Sequence, residues 1–304
     1  MWGAETQQKF GASQVAIVGA HTGLAAEVAK NIALAGVGRL VLATCSGPGE
    51  AAAPAPGNFL ARAGQAGDPG RGAAAACAKV LAEMNPMIQL EHCEAASCGE
   101  LFESRRLEGC KLVIHVSPST AELAEADALC RRSGRSFIGA CVSGPSGFYF
   151  VDFGEHRFTD KVPSPEGLKV AQKTTQYVPL AEALRAPWTK MGRKANKLPC
   201  VVQVLHAVES GHGRVPGEED YELCLKCRDT VAETAGVDPA SVPDVLFRDI
   251  LEREEMPAVA AIVGGELAQD ALKWISKKGA PANNFFSFSV FDGQGQIDRL
   301  AVET

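Results

Sequence analysis

The stretch Gly19-Ala20-His21-Thr22-Gly23-Leu24-Ala25 has the strongest claim to ligand chemistry. It follows the apolar run Gln14–Val18 and opens a helical pattern. At such a junction glycines let the backbone approach a phosphate, whose charge meets the helix N-terminus. The pattern is nevertheless not G-x-G-x-x-G. Its spacing is one residue too long, Ala25 stands where a third glycine would, and the Lys-Ser/Thr pair of a P-loop is missing. A second feature fails with it. After Leu40-Val41-Leu42 the chain offers Ala43-Thr44-Cys45, with no carboxylate to grip a ribose. These residues together predict a degenerate nucleotide loop at Gly19, His21, Gly23 and Ala25, with His21 as an exposed loop residue and no cofactor held by this chain.

Cysteine chemistry is the next possibility. Cys224-Leu225-Lys226-Cys227 has C-x-x-C spacing, but structural zinc needs two such pairs, and Cys93 with Cys98 has the wrong spacing. The pair also falls in a helical pattern, so helix-face packing is the expectation and no metal is assigned. A nucleophilic thiol needs a helix N-terminus or a nearby cation to lower its pKa. Cys141 is the best placed of the ten cysteines, and buried packing is still expected for it. His156 reads as a hydrogen-bonded structural histidine. No residue is assigned a catalytic role.

The elements that would position these residues alternate. Strand-like runs at 14–18, 40–42, 88–91, 112–114, 137–139 and 148–151 are separated by helical patterns, including 24–35, 71–84 and the run carrying Leu123, Ala126 and Leu129. Strand–helix alternation predicts an α/β, Rossmann-like, doubly wound and mostly parallel sheet. Residues 44–70 read as a turn-rich loop, and Pro163–Gln176 as a polar crossover or linker. Glu219–Ala235 and Pro257–Ile275 read as amphipathic helices. Phe286, Phe288 and Val290, the turn Gly293-Gln294-Gly295, and Ile297 with Leu300 predict a closing β-hairpin. Residues 1–160 are thus expected to form a Rossmann-like pseudo-adenylation domain, which 161–304 continue with linker, helices and hairpin.

Bulk properties narrow the class. The 304 residues are 46% hydrophobic and 22% charged, enough to bury a sizeable core. A formal charge of −6 argues against a nucleic-acid partner. No apolar stretch approaches the roughly 20 residues that span a bilayer, so no membrane partner is expected. Scattered cysteines and a start without a basic head or apolar run lead to the expectation of a reducing compartment, nucleus or cytoplasm.

Several ordered segments resemble the small, non-catalytic subunit family of the SUMO-activating heterodimer, within the ThiF-like superfamily. They are Trp2-Gly3-Ala4-Glu5 with Gln7-Gln8; Glu27–Ile32 with Leu34–Val37; Met84-Asn85-Pro86-Met87; Phe153-Gly154-Glu155-His156; Glu255-Met256-Pro257-Ala258 leading to Val263–Gln269; and Asn283–Phe286 with Phe291-Asp292-Gly293. The resemblance runs from residue 2 to about residue 295. It implies a regulatory subunit that pairs with a catalytic large subunit. The large subunit holds ATP and magnesium, adenylates SUMO and captures it as a thioester. The resemblance also marks Trp2, Gly3, Gln7 and Gln8 as partner-interface residues. The family's N-terminal arginine has no counterpart ahead of Trp2. The rival expectations are a self-sufficient ThiF-type adenylyltransferase and a non-activating scaffold of the same family.

Overall fold

The computed structural model describes residues 3–45, 53–65, 72–164, 167–188, 197–252 and 254–301. In chain order the helices are α1 Ala4–Gly11, α2 Gly23–Ala35, α3 Phe59–Gly64, α4 Ala73–Met84, α5 Cys98–Glu103, α6 Thr120–Arg132, α7 Leu180–Ala183, α8 Leu198–His212, α9 Tyr221–Thr234, α10 Asp244–Leu251 and α11 Pro257–Ser276. The strands are β1 Gln14–Val18, β2 Arg39–Cys45, β3 Gln89–Ala95, β4 Leu112–Val116, β5 Ser136–Ser143, β6 Ser146–Asp152, β7 Glu155–Ser164, β8 Gly167–Gln176, β9 Phe285–Ser289 and β10 Gln294–Asp298. Among the described residues no helix is long and apolar enough to cross a membrane.

Eight strands form one sheet in the order β10-β9-β6-β5-β4-β1-β2-β3. From β3 to β5 every pairing is parallel; β6, β9 and β10 then extend the sheet antiparallel. The expected α/β architecture is therefore present, with an antiparallel edge added to a doubly wound parallel sheet. Strand order reverses between β1 and β4, so the chain leaves the sheet in opposite directions there. Helix α2 follows β1 onto one face and α6 follows β4 onto the other.

The strands are buried on both faces, which explains their continuous apolar runs. Val15 and Ile17 join Leu24, Ile32, Val259, Val263 and Leu267 in one core. Ala16 and Val18 face a second core with Leu123, Val201, Phe247 and Phe285. Helices α2 and α11 touch closely in the first, where a Cβ on Gly264 would lie 2.8 Å from Glu27 Cβ. Helix α2 ends on Gly36 at φ +88°, the left-handed position that a helix stop requires. Residues on both sides of position 160 thus build one sheet and its two cores.

Two segments depart from the sequence expectation. Pro163–Gln176 belongs to the two-stranded ribbon β7–β8, paired from Glu155↔Gln176 to Ser164↔Gly167. No residue of β8 is buried on either face, Leu168 and Val170 included, and the apolar alternation ends with those two. Within the expected loop at 44–70, Asn58 caps α3 by accepting a hydrogen bond from the Ala61 amide. Helices α8 and α10 had no counterpart in the sequence reading; α8 begins on Leu198-Pro199, and Pro suits the first turn of a helix.

Candidate nucleotide-loop site

The degenerate loop lies where β1 meets α2, at the reversal of strand order and at the carboxyl edge of the parallel strands. Open α/β sheets bind ligands there. Gly19 takes φ +89°, and a Cβ on it would stand 2.2 Å from the Val116 carbonyl oxygen. Its own amide and that of Ala20 donate to the Ala43 carbonyl at 2.9 and 3.0 Å. Thr22 caps α2: its Oγ1 accepts from the Ala25 amide at 3.1 Å and donates to the Gly19 carbonyl at 2.9 Å. The structure thus brings Gly19, His21, Gly23 and Ala25 together around the first turn of α2.

The anion position at that turn is taken by the chain itself. Amides of Gly23 and Leu24 donate to the carboxylate of Glu255, at 2.5 Å to Oε2 and 3.2 Å to Oε1. Glu255 comes from the turn before α11, 232 residues away along the chain. That turn is pinned to the β5–β6 corner, where the Gly144 amide donates to the Glu254 carbonyl at 2.8 Å. Gly23 must lack a side chain here, because a Cβ would sit 2.9 Å from Glu255 Oε2 and 3.0 Å from the Gly57 backbone. Burial raises Glu255 above the usual carboxylate value, and the two amide hydrogen bonds oppose part of that rise. A helix N-terminus favours an anion, and this one already has one.

His21 is half-buried rather than exposed. Its carbonyl accepts from the Ala55 amide at 2.8 Å, so a second segment covers the loop. Its Nδ1 is buried without a hydrogen-bond partner, and burial lowers its pKa. The ring helps line a cavity of about 220 Å³ together with Thr22, Ser117, Cys141, Glu254 and Glu255. Among the described lining residues there is no Lys or Arg. Two carboxylates, no cation and an occupied helix N-terminus do not fit a nucleoside triphosphate.

The remaining sequence candidates are dispersed. Cys141 is buried on β5. Cys224 is buried on α9, where desolvation pushes its thiol up to about 12. His156 stacks on Phe158, its Nδ1 lies 3.4 Å from Lys277 Nζ, and burial beside that cation pushes it down to about 4. Gly3 precedes α1, and Gln7 and Gln8 are exposed on it. Trp2 lies outside the described residues. Glu255 was quoted in the sequence only for its family resemblance; nothing in the sequence spacing announces that it closes the loop.

No protein-family model matches this chain. In fold it is similar to crystal structures of E. coli MccB. One with succinimide has a TM-score of 0.55 at 14% identity and covers 97% of this chain and 66% of that one. Another, with MccA-N7isoASN, has a TM-score of 0.56 at 13% identity, covering 97% and 67%. The chain thus spans about two thirds of the MccB length, and at this identity the likeness speaks for the fold alone. Sequence relatives are much nearer and almost collinear. SUMO-activating enzyme subunit 1 of Homo sapiens is 30% identical over 341 residues, covering 99% of this chain and 92% of that protein. Subunit 1 of Mus musculus is 31% identical over 337 residues, covering 99% and 91%. Subunit 1B-1 of Arabidopsis thaliana is 30% identical over 309 residues, covering 99% and 93%. The chain belongs to the SUMO-activating enzyme subunit 1 family.

Proposed function

We propose that this chain is the regulatory subunit of a heterodimeric SUMO-activating enzyme and a pseudoenzyme in its own right. The observation that carries this reading is the Glu255 carboxylate seated on the Gly23 and Leu24 amides. The position that would receive a nucleotide phosphate is filled by an internal anion, so adenylation has to take place elsewhere. In this reading the catalytic large subunit holds ATP and magnesium, adenylates SUMO and captures it on its own cysteine. This chain supplies the paired α/β surface that completes the complex. Membership of the subunit 1 family supports the assignment, and so do the degenerate loop and the missing ribose carboxylate. Gly3, Gln7 and Gln8 on the outer side of α1, with Trp2 before them, are assigned to the partner contact. We expect the complex in nucleus and cytoplasm.

Reconstitution tests the reading directly. The large subunit from the same source, SUMO and ATP are combined with and without this chain, and the SUMO thioester is followed on a non-reducing gel. Thioester that forms only when this chain is added is the expected result, together with no ATP binding by the isolated chain in calorimetry. Replacing Gln7 and Gln8 by Ala is expected to weaken co-purification of the two subunits. A complex that forms without promoting the thioester would make the chain a scaffold. ATP binding by the chain alone would make it an adenylyltransferase.

A further inference from the structure

Four metal-ligating side chains from four separate elements meet beside the degenerate loop. Cys45 ends β2, Cys98 begins α5, His115 lies on β4, and Glu122 sits in the first turn of α6. The sulfurs of Cys45 and Cys98 are 4.0 Å apart. Cys98 Sγ lies 3.4 Å from Glu122 Oε1 and 3.9 Å from His115 Nε2. His115 Nε2 lies 3.2 Å from Glu122 Oε1. Ligand atoms of Cys45, Cys98 and Glu122 all fall within 4.8 Å of one another.

The donors of Cys45, Cys98 and Glu122 form one face of a small tetrahedron, while His115 stands outside it and holds Glu122 Oε1 through its Nε2. With Zn–S about 2.3 Å and Zn–N or Zn–O about 2.0 Å, tetrahedral zinc sets its ligands about 3.8 Å apart for S to S, about 3.5 Å for S to O and about 3.3 Å for N to O. Thiolate, imidazole and carboxylate are also the donors zinc prefers, whereas magnesium and calcium take oxygen alone. Cys98 and His115 are buried, while Cys45 is half-buried and the Glu122 side chain is 32% exposed, which leaves an entry on one side. Three protein donors leave the fourth tetrahedral position to water or an external ligand.

We propose that Cys45, Cys98 and Glu122 bind one zinc ion, with His115 orienting the Glu122 carboxylate from outside the coordination shell. On binding, the two thiols release their protons to solvent. Two thiolates, one carboxylate and a water then surround the divalent cation, and affinity rises with pH. Cys45 occupies the end of β2, where nucleotide-binding sheets place the carboxylate that grips a ribose. The ion takes over that corner of the crevice and ties the end of β2 to α5 and α6. Neither cysteine belongs to a C-x-x-C pair, and the three ligands are separated by 53 and 24 residues (45 to 98, 98 to 122), so sequence spacing gives no sign of the site.

The test uses the full chain, purified under reducing conditions without added metal, and elemental analysis by mass spectrometry. The expected result is one zinc per chain. After chelation, Co²⁺ alone is expected to give strong thiolate-to-cobalt charge-transfer and tetrahedral d–d absorption, which Zn²⁺ abolishes. Cys98→Ser is expected to lower Zn²⁺ affinity by more than the roughly 10–100-fold typical of outer-sphere changes. Cys224→Ser on α9 is expected to leave it unchanged. If Cys98→Ser does not fold, Glu122→Gln at the accessible edge provides the same reading. Folded wild-type chain that holds no zinc and gives no cobalt spectrum would overturn the proposal. So would a stoichiometric Cys45–Cys98 disulfide in the reduced preparation, or a cobalt spectrum that persists in Cys98→Ser.

Discussion

Helices α2 and α6 flank the reversal of strand order on opposite faces of the sheet, and each begins on a carboxylate delivered from far away. At α2 that carboxylate is Glu255, which accepts from the amides of Gly23 and Leu24. At α6 it is Glu209 of α8, which accepts the Ser119 hydroxyl, the Thr120 hydroxyl at 2.7 Å and the Ala121 amide at 3.1 Å. Both helices also carry a local cap: Thr22 accepts from the Ala25 amide, and Ser119 from the Glu122 amide. The two ends differ in what the carboxylate displaces. At α6 it meets two hydroxyls and a single amide, an ordinary buried polar network. At α2 it meets two backbone amides beside a glycine, the arrangement that in nucleotide-binding sheets faces a phosphate. The same device is structural at one helix and, at the other, closes a ligand site.

Breaking the steric half of this device has the largest expected effect. Gly23→Val drives a branched side chain into Glu255 and the Gly57 backbone. The expected loss is about 2–4 kcal/mol, read as a lower urea midpoint, because overpacking costs about 1–3 kcal/mol and the displaced carboxylate adds to it. Removing the carboxylates themselves comes next. Glu209→Ala strips three hydrogen bonds from a buried network and should cost about 2–3 kcal/mol; Glu255→Ala strips two and should cost about 1–2 kcal/mol. An equal loss at both helices would remove the distinction drawn between them.

The smallest effect is a pH dependence that belongs to α2. Burial holds Glu255 above its ordinary value of 4.5, so the folded chain binds that proton more tightly than the unfolded chain does. Its contribution to stability is therefore fullest below pH 4.5 and is lost as pH rises through the raised folded value. Glu255→Gln should flatten this limb, measured as the difference between wild-type and variant midpoints from about pH 4 to about pH 7. A difference that does not change with pH would mean that the carboxylate is not desolvated there.

Much of this was legible beforehand because it is local. The run Gln14–Val18, the helix after it and the missing third glycine at Ala25 are properties of neighbouring residues. They gave the sheet, its parallel character and the lapse of the phosphate motif. Alternation of Phe286 and Phe288 with serines likewise marked β9 as a strand. The ribbon β7–β8 was missed for the complementary reason: β8 buries no residue on either face, and Lys169, Gln172 and Lys173 carry no sustained apolar period. His21 read as exposed because nothing in its neighbourhood predicts that residues 53–58 fold over it.

By itself, then, the sequence determined the class of fold, the loss of the nucleotide motif and the family, since these rest on periodicity and on matched segments read in order. What replaced the lost motif was decided by tertiary structure alone. Glu255 reaches Gly23 across 232 residues, and Cys45, Cys98, His115 and Glu122 meet only because parallel pairing brings the ends of β2 and β4 to one edge of the sheet. Contacts of that range follow from strand order, which no local spacing encodes.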